Sequence, residues 1–420
     1  MNTLANINSP LGKTILYATV LSQQINLYYW FLFSRMVSRD ILVLTGTRAE
    51  YGLLKSSMEG IVAHDQLSLS VVATGMHLSP QHGKTVTDIH DDGFTVDREV
   101  LMQLHGDTGT AMAKSLGVGT ASLAEAFKSL NPDILLILGD RDEALAGALA
   151  AAHMNIPVAH IHGGDTMEGA MIDYSIRHAI TKFAHIHFPA SENSAERIRK
   201  LGEEEWRITV SGAPGLDDVL AGEYDAAETV VNRYGIDPNK RLLLLVQHPV
   251  TTQFEHAGQQ MAATLDAIES IEGQTVIIYP NSDAGGDQII EKIESQSFGD
   301  TVKAFHSLPR REYLGLMAAA DVMIGNSSSG IIEAPSFGLP VVDIGPRQKG
   351  RERAENTISV PHQTDQIQDA IERCLHDETV RSQAERCQNP YNYGGAGVSI
   401  CKTLAEIDIT DQLIRKKFTY

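Results

Sequence analysis

The sequence predicts an α/β fold: two Rossmann-like, doubly wound parallel-sheet domains facing a central cleft. Three observations predict it. Short, wholly apolar runs alternate with helix-like stretches from residue 40 onward, the signature of buried parallel strands joined by crossover helices. The alternation forms two series of similar size, separated by a polar stretch at 221–240. Polar and charged residues recur just after the apolar runs, at the carboxyl ends of the strands, where sheets of this kind bind ligands.

In the first series the strands fall at 41–44, 69–73, 134–138, 157–161 and 186–188, with residues 207–210 completing the half. The intervening helices run from the Thr45-to-Gly52 turn through 61, and over 121–130, 144–153, 174–184 and 193–201. In the second series, strands at 241–246, 275–279, 322–324 and 340–344 are equally apolar. A final helix at about 399–418 is expected to fold back on the first domain. These readings divide the chain into an extension at 1–38, an N-terminal domain at 39–222, a C-terminal domain at 223–390 and the returning segment at 391–420.

Residues 15–33 are apolar and aromatic, but Ser22, Gln23, Gln24 and Asn26 interrupt them and no small-residue cleavage site follows. A membrane span needs roughly 20 predominantly apolar residues. The segment therefore reads as a poorly ordered extension, and Met36 would serve well as a start.

The chain has 420 residues, 43% hydrophobic and 21% charged, an ordinary globular composition. Its net charge of −19 argues against nucleic acid or an anionic membrane as a partner. An anionic substrate would need a local positive pocket, which directs attention to clustered arginines. Cys374, Cys387 and Cys401 lack metal-type spacing and are odd in number, which fits a reducing cytoplasm.

The segment from Ala320 to Pro335 carries the strongest chemical signal. An apolar strand ends in Gly325-Asn326, the hydroxyls of Ser327, Ser328 and Ser329 and then Gly330 follow, and a helix begins. Free backbone N–H groups at a helix start, with added hydroxyl donors, suit a phosphate. Glu333 lies about one turn on, where a carboxylate could reach ribose hydroxyls. The next strand stops at Gly345-Pro346-Arg347-Gln348-Lys349-Gly350-Arg351, bringing three cations toward the same anion. A serine-capped turn would explain the hydroxyls, but turning the chain requires neither the hydroxyl run nor the arginine loop.

Further candidates come from other strand ends. Arg48 sits at a helix start after the first strand, a natural anion contact. Asp140 and Arg141 follow a wholly apolar strand, and Asp140 should project into the cleft, with Asp142 and Glu143 as caps. Asp165 and Asp173 flank a Gly-rich loop, and Asp173 and Arg177 are spaced i, i+4 on one helix face. Carboxylates paired in a cleft can divide acid and base work when burial separates their pKa values. His248 ends a strand of the second series, placed for phosphate or sugar contact. Asn281 ends another. His160-x-His162 lacks the companions of a known metal motif, so no metal is expected, and His185 and His187 read as packing residues. No Gly-x-Gly-x-x-Gly opens the first βα unit and no Walker lysine occurs, so neither a nicotinamide cofactor nor ATP-driven chemistry is expected.

With these motifs assembled, the chain resembles the hydrolysing UDP-N-acetylglucosamine 2-epimerases over residues 40–392. The likeness rests on Thr-Gly-Thr-Arg-Ala-Glu-Tyr-Gly, Leu-Gly-Asp-Arg, His-Ile-His-Gly-Gly-Asp, Ile-Arg-His-Ala-Ile-Thr-Lys, His-Pro-Val-Thr-Thr, Gly-Asn-Ser-Ser-Ser-Gly and Arg-Gln-Lys-Gly-Arg, in that order. The resemblance implies a GT-B architecture and a two-stage reaction: elimination of UDP to a 2-acetamidoglucal, then water addition giving N-acetylmannosamine. It implies Asp140 and Asp173 as acid/base carboxylates, with Asp165 in the catalytic set, and Arg48 and His248 near the diphosphate or sugar. Ser327, Ser328, Ser329 and Gly330 would form the phosphate turn, Glu333 the ribose contact and Asn281 a nucleotide-side position. Arg347, Arg141 and Arg177 would be substrate-binding cations. It implies no cofactor, a nucleotide-sugar partner and a homodimer or homotetramer.

The chain departs from the family pattern at two places. Asp165 stands where the family usually has Glu, and Tyr174 where a second acid usually follows the Ile-Asp pair. UDP-N-acetylglucosamine is the expected substrate, with UDP- or GDP-linked N,N'-diacetylbacillosamine, of the legionaminic acid route, as the alternative. Non-hydrolysing epimerisation, a GT-B glycosyltransferase and a nucleotide-sugar sensor are the competing functions.

Overall fold

A computed structural model describes residues 38–420 apart from 81–82, 105–107, 168–170, 282 and 298. The expectations for residues 1–37 lie outside the described residues. Among the described residues, twelve strands form two six-stranded sheets, parallel throughout. The first holds β1 (Arg39–Thr45), β2 (Leu67–Thr74), β3 (Arg98–Val100), β4 (Ile134–Leu138), β5 (Val158–Ile161) and β6 (Ile186–Phe188), in the order β3-β2-β1-β4-β5-β6. The second holds β7 (Leu242–Val246), β8 (Gln274–Ile278), β9 (Val302–Phe305), β10 (Val322–Gly325), β11 (Val341–Ile344) and β12 (Thr357–Val360). Its order, β12-β11-β10-β7-β8-β9, repeats the topology of the first, so both halves are doubly wound as the sequence predicted.

The apolar runs explain why these strands sit centrally. Ile41 and Val43 belong to the core on one face of the first sheet, while Leu42 and Leu44 belong to the core on the other. Leu243 and Leu245 are divided from Leu242, Leu244 and Val246 in the same way. A strand buried on both faces requires helices on both, which is what a continuous aliphatic run encodes.

Three strands absent from the sequence reading, β3, β9 and β12, all lie at sheet edges and are partly exposed. The residues completing the first half hold a 3-10 turn at Glu205–Arg207, followed by a single bridge between His187 and Ile208. The expected final helix is two helices, Ala396–Glu406 and Asp411–Ile414. The break falls at Ile407-Asp408-Ile409-Thr410, all poor helix formers by β-branching or by side-chain competition for the backbone. Ile400, Cys401, Leu404 and Leu413 from this segment join the first domain's core, against Met58 and Ile61.

The two domains meet around a small apolar cluster of Ala190, Ala213 and Leu216 with Ile331, Ile332 and Tyr391. Among the described residues, no helix is long and apolar enough to cross a membrane.

Candidate active site

In a doubly wound sheet the crevice opens where the strand order reverses, between the first and fourth strands of each unit. Here those strands are β1 and β4 in one domain and β7 and β10 in the other. Their carboxyl ends carry Arg48, Asp140, His248 and the serine turn respectively. All four points line a single cavity of about 490 Å³ between the domains. The Thr47 side chain caps the helix Arg48–Ala63 by accepting from the Glu50 amide at 3.1 Å, which fixes Arg48 at the cavity rim.

On the second domain's side, Ser327, Ser328, Ser329 and Glu333 line the cavity with Arg347. The Ser327 hydroxyl accepts from the Ser329 amide at 3.3 Å, tightening the turn. The helix that follows is shorter than the sequence implied, Ser329–Ile332 and then a 3-10 turn at Ala334–Phe337. Pro335 stops it, since its ring would clash with the carbonyl of Ile331 and it has no N–H to donate. The turn therefore offers an anion hydroxyls, turn amides and Arg347 more than a long helix dipole.

Of the three loop cations, Arg347 donates to the Asn326 carbonyl at 3.2 Å. Arg351 also lines the cavity but is held against Asp165 and Gln348, and exposed Lys349 does not line it. Gly330 does not line the cavity either. A Cβ there would lie 3.0 Å from Val341, so its smallness serves packing of the turn on β11. Gly325, at φ +122, lets β10 approach β7, where a Cβ would meet the Val246 carbonyl at 2.1 Å.

His248 is locked by its neighbours. Its amide donates to Asn326 Oδ1 at 2.7 Å, and Asn326 Nδ2 donates back to its carbonyl at 2.9 Å. Its Nδ1 accepts from the Asn281 amide at 3.1 Å, which places the ring proton on Nε2. Burial and the charge of Arg347 push its pKa down to about 3, so the ring is a neutral donor. Asn281 also lines the cavity and donates to Asp283 at 2.6 Å. Glu333, 3% exposed, lies 3.5 Å from Arg310, which also pairs with Asp218 at 2.9 Å and donates to the Gly215 carbonyl.

On the first domain's side, Asp140, Arg141, Asp173 and Arg177 line the cavity. Arg177 is buried, pairs with Asp140 and donates to the His162 carbonyl at 2.6 Å. Burial raises the Asp173 pKa to about 7, with the charges of Asp140 and Asp283 adding to it. One cavity carboxyl is therefore half-protonated near neutrality, and a second, Asp140, lies in the same cavity paired with a guanidinium.

Asp165 is placed differently from the expectation. It is 2% exposed and does not line the cavity. It accepts from the Ser194 hydroxyl at 2.7 Å and lies 3.4 Å from both His162 Nδ1 and Arg351 Nη2. Burial would raise its pKa, but the His162 hydrogen bond and the charges of Arg177 and Arg351 hold it well below the usual carboxylate range. A carboxylate so held stays ionised beneath the cavity lining.

His185 and His187 do more than pack. His185 Nδ1 accepts from the Val158 amide at 3.1 Å, and His187 Nε2 lies 3.3 Å from Glu203. Burial pushes both pKa values down to about 4. The sequence reading missed Asp283 and Arg310, both cavity-lining. Asp283 ends the same strand–loop as Asn281, so position after β8 was its available signal. Arg310 follows no apolar strand motif, and only the tertiary contact with Glu333 reveals it.

Two facing Rossmann-like domains with one crevice between their switch points define the GT-B architecture. The chain belongs to the UDP-N-acetylglucosamine 2-epimerase family, whose model matches residues 60–405. It is 37% identical, over 91% of its length and 100% of the relative's, to UDP-N,N'-diacetylbacillosamine 2-epimerase (hydrolyzing) of Legionella pneumophila. It is 35% identical to UDP-N-acetylglucosamine 2-epimerase of Neisseria meningitidis serogroup B, over 80% of this chain and 87% of that one. A crystal structure of UDP-GlcNAc 2-epimerase from Neisseria meningitidis bound to UDP-GlcNAc shares the fold, with a TM-score of 0.73 over 87% of this chain and 99% of that one at 19% identity. The coarse activity that follows is 2-epimerisation of a UDP-sugar.

Proposed function

We propose that this enzyme is a hydrolysing 2-epimerase, converting a UDP-linked 2-acetamido sugar and water to UDP and the free 2-epimer. The observation that carries the reading is the single crevice that holds two ionisable carboxyls, Asp140 and Asp173, opposite a serine turn and Arg347. Breaking the C1–O bond loads charge onto the departing diphosphate. Turn amides, serine hydroxyls, Arg347 and the His248 Nε2–H are donors placed to meet it. The C2 proton leaves in the same stage, giving a C1=C2 glycal. In the second stage Asp173, which carries a proton near neutral pH, delivers it to C2 from the other face. Asp140 takes the proton of the water that adds to C1. Glu333, steadied by Arg310, is placed for the ribose hydroxyls. A closed crevice keeps bulk water from the glycal until this stage.

For the sugar, the sequence favoured N-acetylglucosamine. Two observations support N,N'-diacetylbacillosamine instead. The Legionella relative, matched over its whole length, bears that substrate in its name. The first domain's side of the cavity presents Met76, Met112, Met167, Leu138 and Ile176, an apolar wall suited to a 6-methyl and a second acetamido methyl. A sugar with free 4- and 6-hydroxyls would want polar partners there.

The test is incubation with UDP-N,N'-diacetylbacillosamine, its GDP counterpart and UDP-N-acetylglucosamine side by side, with products identified by NMR. Free 2-epimerised sugar and UDP, fastest from the first substrate, are expected. Intact UDP-linked 2-epimer as the product would establish the non-hydrolysing reaction instead.

A further inference from the structure

The reaction proposed above needs three proton transfers: removal from C2, return to C2 on the opposite face, and deprotonation of water. Asp173 and Asp140 account for the last two. One of the Asp140 oxygens is engaged by Arg177, which leaves the first transfer without a dedicated group.

His162 stands directly after β5, with its backbone at φ +62, a left-handed conformation that few non-glycine residues adopt. Arg177 fixes that backbone by donating to its carbonyl at 2.6 Å. Only 3% of the residue is exposed, yet it lines the cavity with Asp140 and Asp173. Its Nδ1 lies 3.4 Å from Asp165 Oδ2, and its Nε2 is buried with no hydrogen-bond partner among the described residues. An ionised carboxylate can only accept, so Nδ1 carries the ring proton and Nε2 presents a lone pair. His160, two residues earlier, shows the contrast. Both of its ring nitrogens are occupied, by the Gly139 carbonyl at 2.7 Å and the Thr181 hydroxyl at 3.3 Å.

We propose that His162 Nε2 is the base that takes the C2 proton, with Asp165 as the positioning residue that fixes its tautomer and steadies the imidazolium. The inference rests on the 2-epimerase reading. As the C2–H bond breaks, its electron pair forms C1=C2 and the C1–O pair leaves with the diphosphate. His162 then holds the proton against Asp165, as the carboxylate of a catalytic triad steadies its imidazolium. Asp173 later protonates C2, water adds its oxygen to C1, and Asp140 takes the water's proton. Transfer of that proton to Asp173 and loss of the His162 proton to solvent restore the enzyme. The released proton matches the extra negative charge on free UDP. Asp165 thereby gains a reason for its buried ion pairs with Arg177 and Arg351, which keep it ionised beneath the imidazole.

Asparagine is the informative replacement. It tolerates a left-handed backbone, and its Nδ2 can replace the Nδ1 donor to Asp165, so His162→Asn removes Nε2 alone. The expected result is a ~10²–10⁴-fold fall in kcat for UDP release with UDP affinity unchanged. Asp140, Asp173, Arg177 and Arg351, which line the cavity with the ring, and Asp165, which contacts it, all remain in this variant. His162→Gln, which puts an uncharged amide near Nε2, should fail to rescue the rate. A rate for H162N within about tenfold of wild type overturns the assignment. If wild-type enzyme binds UDP but releases none from any nucleotide sugar, the parent reading fails and takes this one with it. An active wild type with an unaffected variant sinks His162 alone.

Discussion

The Arg141 guanidinium lies 3.3 Å from the Asp283 carboxylate, tying the end of β4 in one domain to the loop after β8 in the other. Both side chains line the cavity, so the tie closes the crevice at the site of chemistry. Burial would raise the Asp283 pKa, but Arg141 and Arg347 hold it down, so the pair stays charged across the working range. Arg48 adds a second tie by donating to the Ser307 hydroxyl at 2.7 Å.

Breaking the first tie should weaken closure more than folding. Asp283→Asn removes a charge-assisted contact worth about 1.5–3 kcal/mol, so KM for the nucleotide sugar is expected to rise ~10- to 100-fold. Steady-state kinetics and the Tm of the same variant separate the two effects. An unchanged KM would contradict the tie's role in closure.

Asp173 predicts opposite effects on stability and on rate. Its folded pKa, near 7, is above that of an unfolded aspartate. Between roughly pH 4 and 7 the folded state keeps a proton that the unfolded chain loses, so stability falls as pH rises through that window. Asp173→Asn has no such proton, and its Tm should exceed the wild type's above pH 7 and match it near pH 4. Its turnover should fall ~10²–10⁴-fold with UDP affinity retained. Thermal melts and product assays across pH check both halves. A variant that keeps its turnover refutes the donor role.

Residues 396–420 are expected to stabilise the first domain. Leu404 is fully buried in that domain's core. Leu404→Ala should cost about 2–5 kcal/mol by denaturant unfolding. Val398, 73% exposed on the same helix, should tolerate alanine to within about 0.5 kcal/mol. Equal losses at both positions would contradict the packing.

How much of this was legible in the sequence depends on how local the signal was. Central strands such as β4 and β7 announce themselves because burial on both faces demands continuous aliphatic residues. β3, β9 and β12 do not, because an edge strand is short, half exposed and polar. The site residues at strand ends, Arg48, Asp140, His248 and Ser327, were legible by position, since topology places every switch-point strand end in one crevice. That Asp165 lies behind the cavity lining was not legible, because sequence adjacency to a Gly-rich loop does not tell which way a carboxylate faces. His162 was invisible as a base for the same reason. Its left-handed backbone and unpartnered Nε2 arise from contacts with Arg177 and Asp165, which no spacing encodes.

The most direct test of the central claim is turnover in heavy water, with the released sugar examined by NMR. Elimination and re-protonation predict one deuterium at C2 of a free, 2-epimerised sugar, formed together with UDP. Free sugar that still carries its original C2 hydrogen would contradict the account.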